Sequence, residues 1–172
     1  VVTGLGRKSG AGNPTFDPRF SVYSQQRKEQ GDLAPLVARQ LLRMWDFNVQ
    51  RLGFDHAFLY NQGVVDVYLC WGGQAGGEQR FDEDTEKGQL IKVNTIYIDD
   101  LPSFKDPVQM GREVAHEYGH ATLPAVGGFS EPEDWANGYL GEKLYLMWLR
   151  DEMKAKRLEP VDAMGATFEQ LD

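Results

Sequence analysis

The most regular pattern in the chain is DLAPLVARQLLRMWDFNVQRLGF, where Leu33, Leu36, Val37, Leu41, Met44, Trp45, Val49 and Leu52 recur at spacings of three and four. This periodicity predicts an amphipathic helix over 33–52, capped by Asp32 and ended by Gly53. FDHAFLY and VVDVYLCW, split by Asn61-Gln62-Gly63, predict a short element and a strand with a turn between them. From Gly72 to Gly88 apolar positions are sparse and glycines and acidic residues frequent, which reads as a long loop. LIKVNTIYIDD restores an extended pattern. Ile91, Val93, Thr95 and Tyr97 would face one way, and Lys92, Asn94, Ile96 and Ile98 the other, an imperfect alternation.

Two helices follow. Asp106-Pro107 is a favoured start, a capping residue and then proline at the first helical position, and Pro124 stops this helix near Leu123. Ser130, with Glu133 three residues on, forms a candidate capping box for a helix over about 131–157. Its Lys/Arg-rich end suits the helix dipole. At about 100° per residue, Glu133 and Asn137 share a face with Leu140, Leu144, Met147 and Trp148, the face expected to turn inward. Residues 1–32, rich in Gly, Ser, Gln and Pro, read as an irregular N-terminal arm with a short extended piece near 20–23. The division expected is therefore this arm, one domain over 33–157, and a C-terminal tail over 158–172.

A chain of 172 residues with 41% apolar residues is long enough to bury a core. Its formal charge of −8 disfavours a nucleic-acid partner, which would need a basic footprint. No run of about 18 apolar residues is present, so no membrane span is expected. The single cysteine, Cys70, lies in an apolar run and is read as a small core residue. No signal peptide is visible, and the first residue is not Met. Export stays open, with a secreted or periplasmic protein whose signal segment lies outside this chain as one alternative. Oligomeric state is not legible.

Chemistry concentrates in REVAHEYGHATLP, residues 112–124, which holds two of the three histidines in the chain. On a helix, His116 and His120 share a face and can both offer ring nitrogens to one ion at about 2.0–2.1 Å. Glu117 projects about 100° round from His116, outside the ligand shell but close to the open position. Zinc lowers the pKa of its water, and a neighbouring carboxylate takes the proton as that water attacks a carbonyl, the reason HExxH is recognised as a pattern.

The block REVAHEYGH resembles the active-site helix of zincin metallopeptidases. The order of long helix, strands, zinc helix and further helix also resembles their catalytic core over roughly residues 33–150. The resemblance implies an α+β zincin-like fold, with a small sheet whose edge strand lies over the zinc helix and with long packing helices. It implies Zn2+ held by His116 and His120, Glu117 as general base, and a peptide or protein substrate. In that fold the strand just before the zinc helix edges the cleft, so LIKVNTIYI is the expected substrate edge. Gly119 fits a close approach by another helix.

The third ligand distinguishes the subgroups. The metzincin extension would require Gly at 123 and His at 126, where this chain has Leu123 and Val126. His56, the remaining histidine, reads as a surface or capping residue. In the gluzincin group the third ligand is a Glu on a later helix, commonly with a polar residue four further on bracing a zinc histidine. EDWAN, residues 133–137, resembles that pattern, with Glu133 as ligand and Asn137 as brace. Glu142, Glu131 and Asp134 stay open, and Gly138 and Gly141 would permit close helix contact beside Glu142. An oxyanion donor is also expected, with Tyr118, Tyr139 and Tyr145 as candidates. The leading expectation is a zinc peptidase. The alternatives are a non-catalytic binding or structural protein of zincin-like fold, and a zinc hydrolase of small amides.

Overall fold

Helices and strands segregate because their apolar residues repeat with different periods. The computed structural model describes residues 2–4, 19–25, 33–56, 64–86, 89–124 and 133–172, without the side chains of 2–4, 82–86, 89–93 and 133–135. Five strands, β1 (Val2–Gly4), β2 (Phe20–Ser24), β3 (Val65–Leu69), β4 (Gly76–Glu86) and β5 (Gln89–Asp99), form one mixed sheet in the order β1-β2-β3-β5-β4. β2, β3 and β5 are parallel, whereas β1 and β4 run antiparallel to their neighbours. Among the described residues three α-helices complete the α+β fold: α1 (Ala34–Phe47), α2 (Pro107–Thr122) and α3 (Glu133–Lys154). No helix among the described residues is long and apolar enough to cross a membrane.

The core lies on one face of the sheet. Phe20 and Val22, Val65, Val67 and Leu69, and Ile96 and Ile98 are buried there against Val37, Leu41 and Met44 of α1 and Val114, Ala115, Tyr118 and Ala121 of α2. On the opposite face Tyr23, Tyr68 and Tyr97 stack across β2, β3 and β5, and the Arg80 guanidinium lies over the Tyr97 ring. Burial of the apolar face is the main driving force for this layering.

α1 follows its expected periodicity as far as Phe47, where the backbone widens into a π-helical turn, Asn48–Leu52, ended by Gly53 at φ +75°. The wider turn rotates Val49 and Leu52 off the core face, and both are exposed. α2 starts as expected, with the Asp106 carboxylate accepting the Gln109 N–H at 2.9 Å. The buried Gln40 side chain donates to Gly111 O at 2.7 Å and ties α1 to α2.

Two expectations are corrected. The span expected as a loop contains β4, paired along its length with β5. β5 in turn is an interior strand between β3 and β4, so LIKVNTIYI is not the sheet edge. Its alternation is imperfect because both faces are covered at its centre, where Asn94, Thr95 and Ile96 are all buried. Within 1–32, residues 20–24 supply the interior strand β2. In 158–172, the turns Pro160–Ala163 and Phe168–Leu171 bury Ala163, Met164 and Leu171 against the helices. The Asp32 cap, the turn at 61–63 and the Ser130 cap lie outside the described residues.

Candidate metal centre

One turn of α2 separates His116 from His120, and their rings converge at 71° with centroids 4.9 Å apart. The two Nε2 atoms are 3.2 Å from each other. Two ligands at about 2.0–2.1 Å from a tetrahedral ion would lie about 3.3 Å apart, close to the separation of this pair.

The backbone of α3 runs beside this point. A Cβ on Gly138 would stand 2.4 Å from both Nε2 atoms. Gly119 and Gly141 let the helices touch: a Cβ on Gly141 would meet Gly119 Cα at 2.4 Å, and one on Gly119 would meet Asn137 O at 2.5 Å. Gly119 thus has the place expected of it. The inward face of α3 is only in part the expected one. Leu140 and Met147 are exposed, and among the described side chains of α3 the buried residues are Asn137, Gly138, Gly141, Tyr145, Leu146, Leu149 and Met153, with Leu144 and Trp148 half-buried against the core. Small residues bring the helices together around Gly119, and the apolar contact is made further along α3 by Tyr145, Leu146 and Leu149.

Among the described residues no third His, Cys, Asp or Glu joins the histidine pair. Glu133 is the first residue of α3, and Glu133 and Asp134 have no described side chain; Glu131 is outside the described residues. The helical register separates them. Position 134 lies about 40° round the axis from position 138, and position 133 about 140° away. Asn137 is buried where α3 meets Gly119. Glu142 approaches the other edge of the imidazole, its carboxylate 3.9 Å from His116 Nδ1 and 3.6 Å from the Arg112 guanidinium.

Glu117 faces β4. Its side chain is 4% exposed, and a Cβ on Gly77 would come within 2.5 Å of its Cγ, so glycine at 77 lets the strand close over the carboxylate. Burial pushes the Glu117 carboxyl up to about 8, helped by the nearby Glu113 and Glu78, while a hydrogen bond from the Gln79 backbone acts the other way. The Gln79 side chain donates to Asn94 Oδ1 at 2.8 Å, and Asn94 donates to Ala121 O at 3.2 Å. This chain of hydrogen bonds joins β4 and β5 to the helix carrying the histidines. Gln79 and Asn94 are site-building residues that the sequence reading missed; Asn94, a polar residue in line with Ile96 and Ile98, was the available signal.

Two of the three tyrosines are core residues. Tyr118 is fully buried and its hydroxyl meets His56 Nδ1 at 2.8 Å. Tyr145 is fully buried and bonds the Thr122 hydroxyl at 2.8 Å. Burial pushes the Tyr145 phenol up to about 12. Tyr139 is exposed and sets its ring perpendicular to His116, centroids 4.8 Å apart. His56, expected as a surface or capping residue, is fully buried. Its Nε2 faces Arg19 O at 3.3 Å, which with Tyr118 explains how a polar ring is accommodated in the core. Cys70 is half-buried, and burial together with Asp99 pushes its thiol up to about 11.

Comparison with protein-family models, with curated proteins and with solved structures finds no match to this chain.

Proposed function

We propose that the chain is a zinc-dependent peptidase of zincin-like fold, with His116 and His120 as metal ligands and Glu117 as general base. The observation that carries the reading is the convergence of the two Nε2 atoms at 3.2 Å, the spacing that one tetrahedral ion needs. Support also comes from the buried carboxyl at the next helical position. A carboxylate from the first turn of α3 completes the set. The register favours Asp134 over Glu133 for that role. When bound, zinc activates a water and polarises the scissile carbonyl.

Glu117 accepts the proton of the attacking water and returns it to the leaving nitrogen. A carboxyl whose proton affinity is raised by burial suits that exchange near neutral pH. β4, paired on one side with β5, is the sheet edge beside α2, and an extended peptide added to it would lie next to the histidines. Tyr139, against His116 and open to solvent, is the candidate donor to the developing oxyanion.

The test is zinc content and peptide cleavage measured on the same samples of wild type, Glu117→Gln, His120→Ala, Glu133→Ala and Asp134→Ala. The reading expects about one zinc per wild-type chain, retained in Glu117→Gln with turnover lost, and zinc lost in His120→Ala. Wild type without zinc, prepared free of chelator, would overturn it. Zinc without turnover on casein-like chains or small amides would assign a binding or structural role. Turnover confined to small amides would assign the narrower hydrolase.

A further inference from the structure

We infer that Glu142 is the positioning residue of His116. Its carboxylate accepts a hydrogen bond from the Nδ1–H group, fixing the tautomer and ring angle that present Nε2 toward His120. This rests on the reading of His116 and His120 as metal ligands. The two Nε2 atoms face each other at 3.2 Å, so an ion bound by both lies on that edge of the rings. Glu142 stands at the opposite edge, 3.9 Å from Nδ1.

A neutral imidazole that ligates through Nε2 carries its proton on Nδ1, and an acceptor there orients the ring. The Glu142 carboxylate is a quarter exposed, on the turn of α3 that follows Gly138 and Gly141. At 3.9 Å the pair is at ion-pair distance, and the inferred hydrogen bond requires the carboxylate to come within about 3 Å of Nδ1. Arg112, one turn before His116 on α2, holds the same carboxylate from its other side at 3.6 Å and donates to Asp172 O. The order Arg112, Glu142, His116 therefore crosses from α2 to α3 and back. The close helix contact at Gly119 and Gly141 fixes its span. Asn137, expected from the EDWAN pattern to brace a zinc histidine, lies instead at the Gly119 contact.

The test titrates metal-free full-length protein with Zn2+ and with Co2+, for wild type, Glu142→Gln, Glu142→Ala and Arg112→Gln. Wild type is expected to bind one ion. Glu142→Ala should lose about 10–100-fold in affinity, with Glu142→Gln between it and wild type. The Co2+ absorption bands should keep their positions and intensity in each variant, because the ligand set is unchanged. In the zinc-loaded wild type the His116 Nδ1 proton should give a sharp downfield NMR resonance, broadened by solvent exchange in Glu142→Gln. A purely structural role would not move that signal. Arg112→Gln should lose less than Glu142→Ala. Thermal unfolding of the metal-free variants separates loss of fold from loss of site, and Glu142→Gln keeps the side-chain shape.

Affinity in Glu142→Ala within about twofold of wild type would overturn the inference, being far below the usual effect of removing such a partner. Weakened and shifted Co2+ bands would overturn it by making Glu142 a ligand. An equal loss in Arg112→Gln would overturn it by assigning the ordering to the guanidinium. A wild type that binds neither ion would overturn the zinc reading itself, an outcome distinct from the other three.

Discussion

Substituting Gly138 by alanine adds one methyl carbon to α3 at the point where the two histidine rings meet. The new Cβ would lie 2.4 Å from each Nε2, on the plane that bisects the pair, the plane an ion bound to both must also occupy. Carbon and nitrogen in ordinary contact stand about 3.5 Å apart, so the rings must retreat by about 1 Å or α3 must shift. Either movement spoils a site that tolerates little change in ligand spacing. Altering a partner that only orients a ligand typically costs about 10–100-fold in metal affinity. Displacing the ligands themselves should exceed that range, a loss of more than about 2.7 kcal/mol.

The metal-free fold should survive. Alanine gains about 0.8–1.0 kcal/mol over glycine in a helix interior. Overpacking costs about 1–3 kcal/mol. The net loss is therefore no more than about 2 kcal/mol, because the atoms met are mobile ring ends. Gly141→Ala is the contrasting variant. Its Cβ would meet Gly119 Cα at 2.4 Å, and backbone cannot rotate away, so the helices must part. Its stability loss should lie at or above the upper end of the overpacking range, about 3 kcal/mol. Calorimetric titration with Zn2+ and thermal unfolding without it read both variants. A Gly138→Ala protein that binds Zn2+ as tightly as wild type would refute the placement of the ion between the histidines.

Other consequences follow from the same contacts. Glu117→Gln should keep its zinc and lose about 10²–10⁴-fold in kcat, read by metal analysis beside a peptide assay. Tyr118→Phe removes the hydroxyl that meets the buried His56 and should destabilise by about 1–3 kcal/mol in urea unfolding. Asp162 is buried, which alone would raise its pKa, but hydrogen bonds from Arg39, the Glu159 backbone and Arg43 outweigh this and hold its carboxyl below the ordinary value of 3.8. A depressed carboxylate contributes stability above its unfolded pKa and loses it as pH falls through the folded one. Asp162→Asn should therefore cost about 1–3 kcal/mol near neutral pH, with the gap to wild type closing below about pH 4. Unfolding curves at pH 7 and pH 3 check the sign.

What the sequence displayed of the fold was the part that buries apolar side chains in a regular period. Val37, Leu41 and Met44 announce α1, and Val65, Val67 and Leu69 announce β3, because each set faces one core. β4 carries no such signal. GGEQRFDEDTE is held by its ladder to β5 and by contact with α2, and neither leaves an apolar alternation in the strand itself. The same limit explains α3. Leu140 and Met147 of its hydrophobic stripe are exposed, and the closest approach to α2 is made by glycines whose contribution is the absence of side chain.

The candidate site divides along similar lines. His116, Glu117 and His120 are legible because a local spacing on one helix fixes their relation. Much of what shapes the site around them comes from other elements: Gly77 and Gln79 from β4, Asn94 from β5, and Gly138, Tyr139 and Glu142 from α3. The long separations leave no local pattern, but the residue types are physically constrained. A close helix crossing at Gly119 brings position 138 against the Nε2 edges and position 142 against the Nδ1 edge of His116. The first position must then be small, and the second can hold a carboxylate. Gly138 and Glu142, one helical turn apart, are therefore two consequences of one crossing. A change that widened it at Gly119 or Gly141 should weaken both effects together.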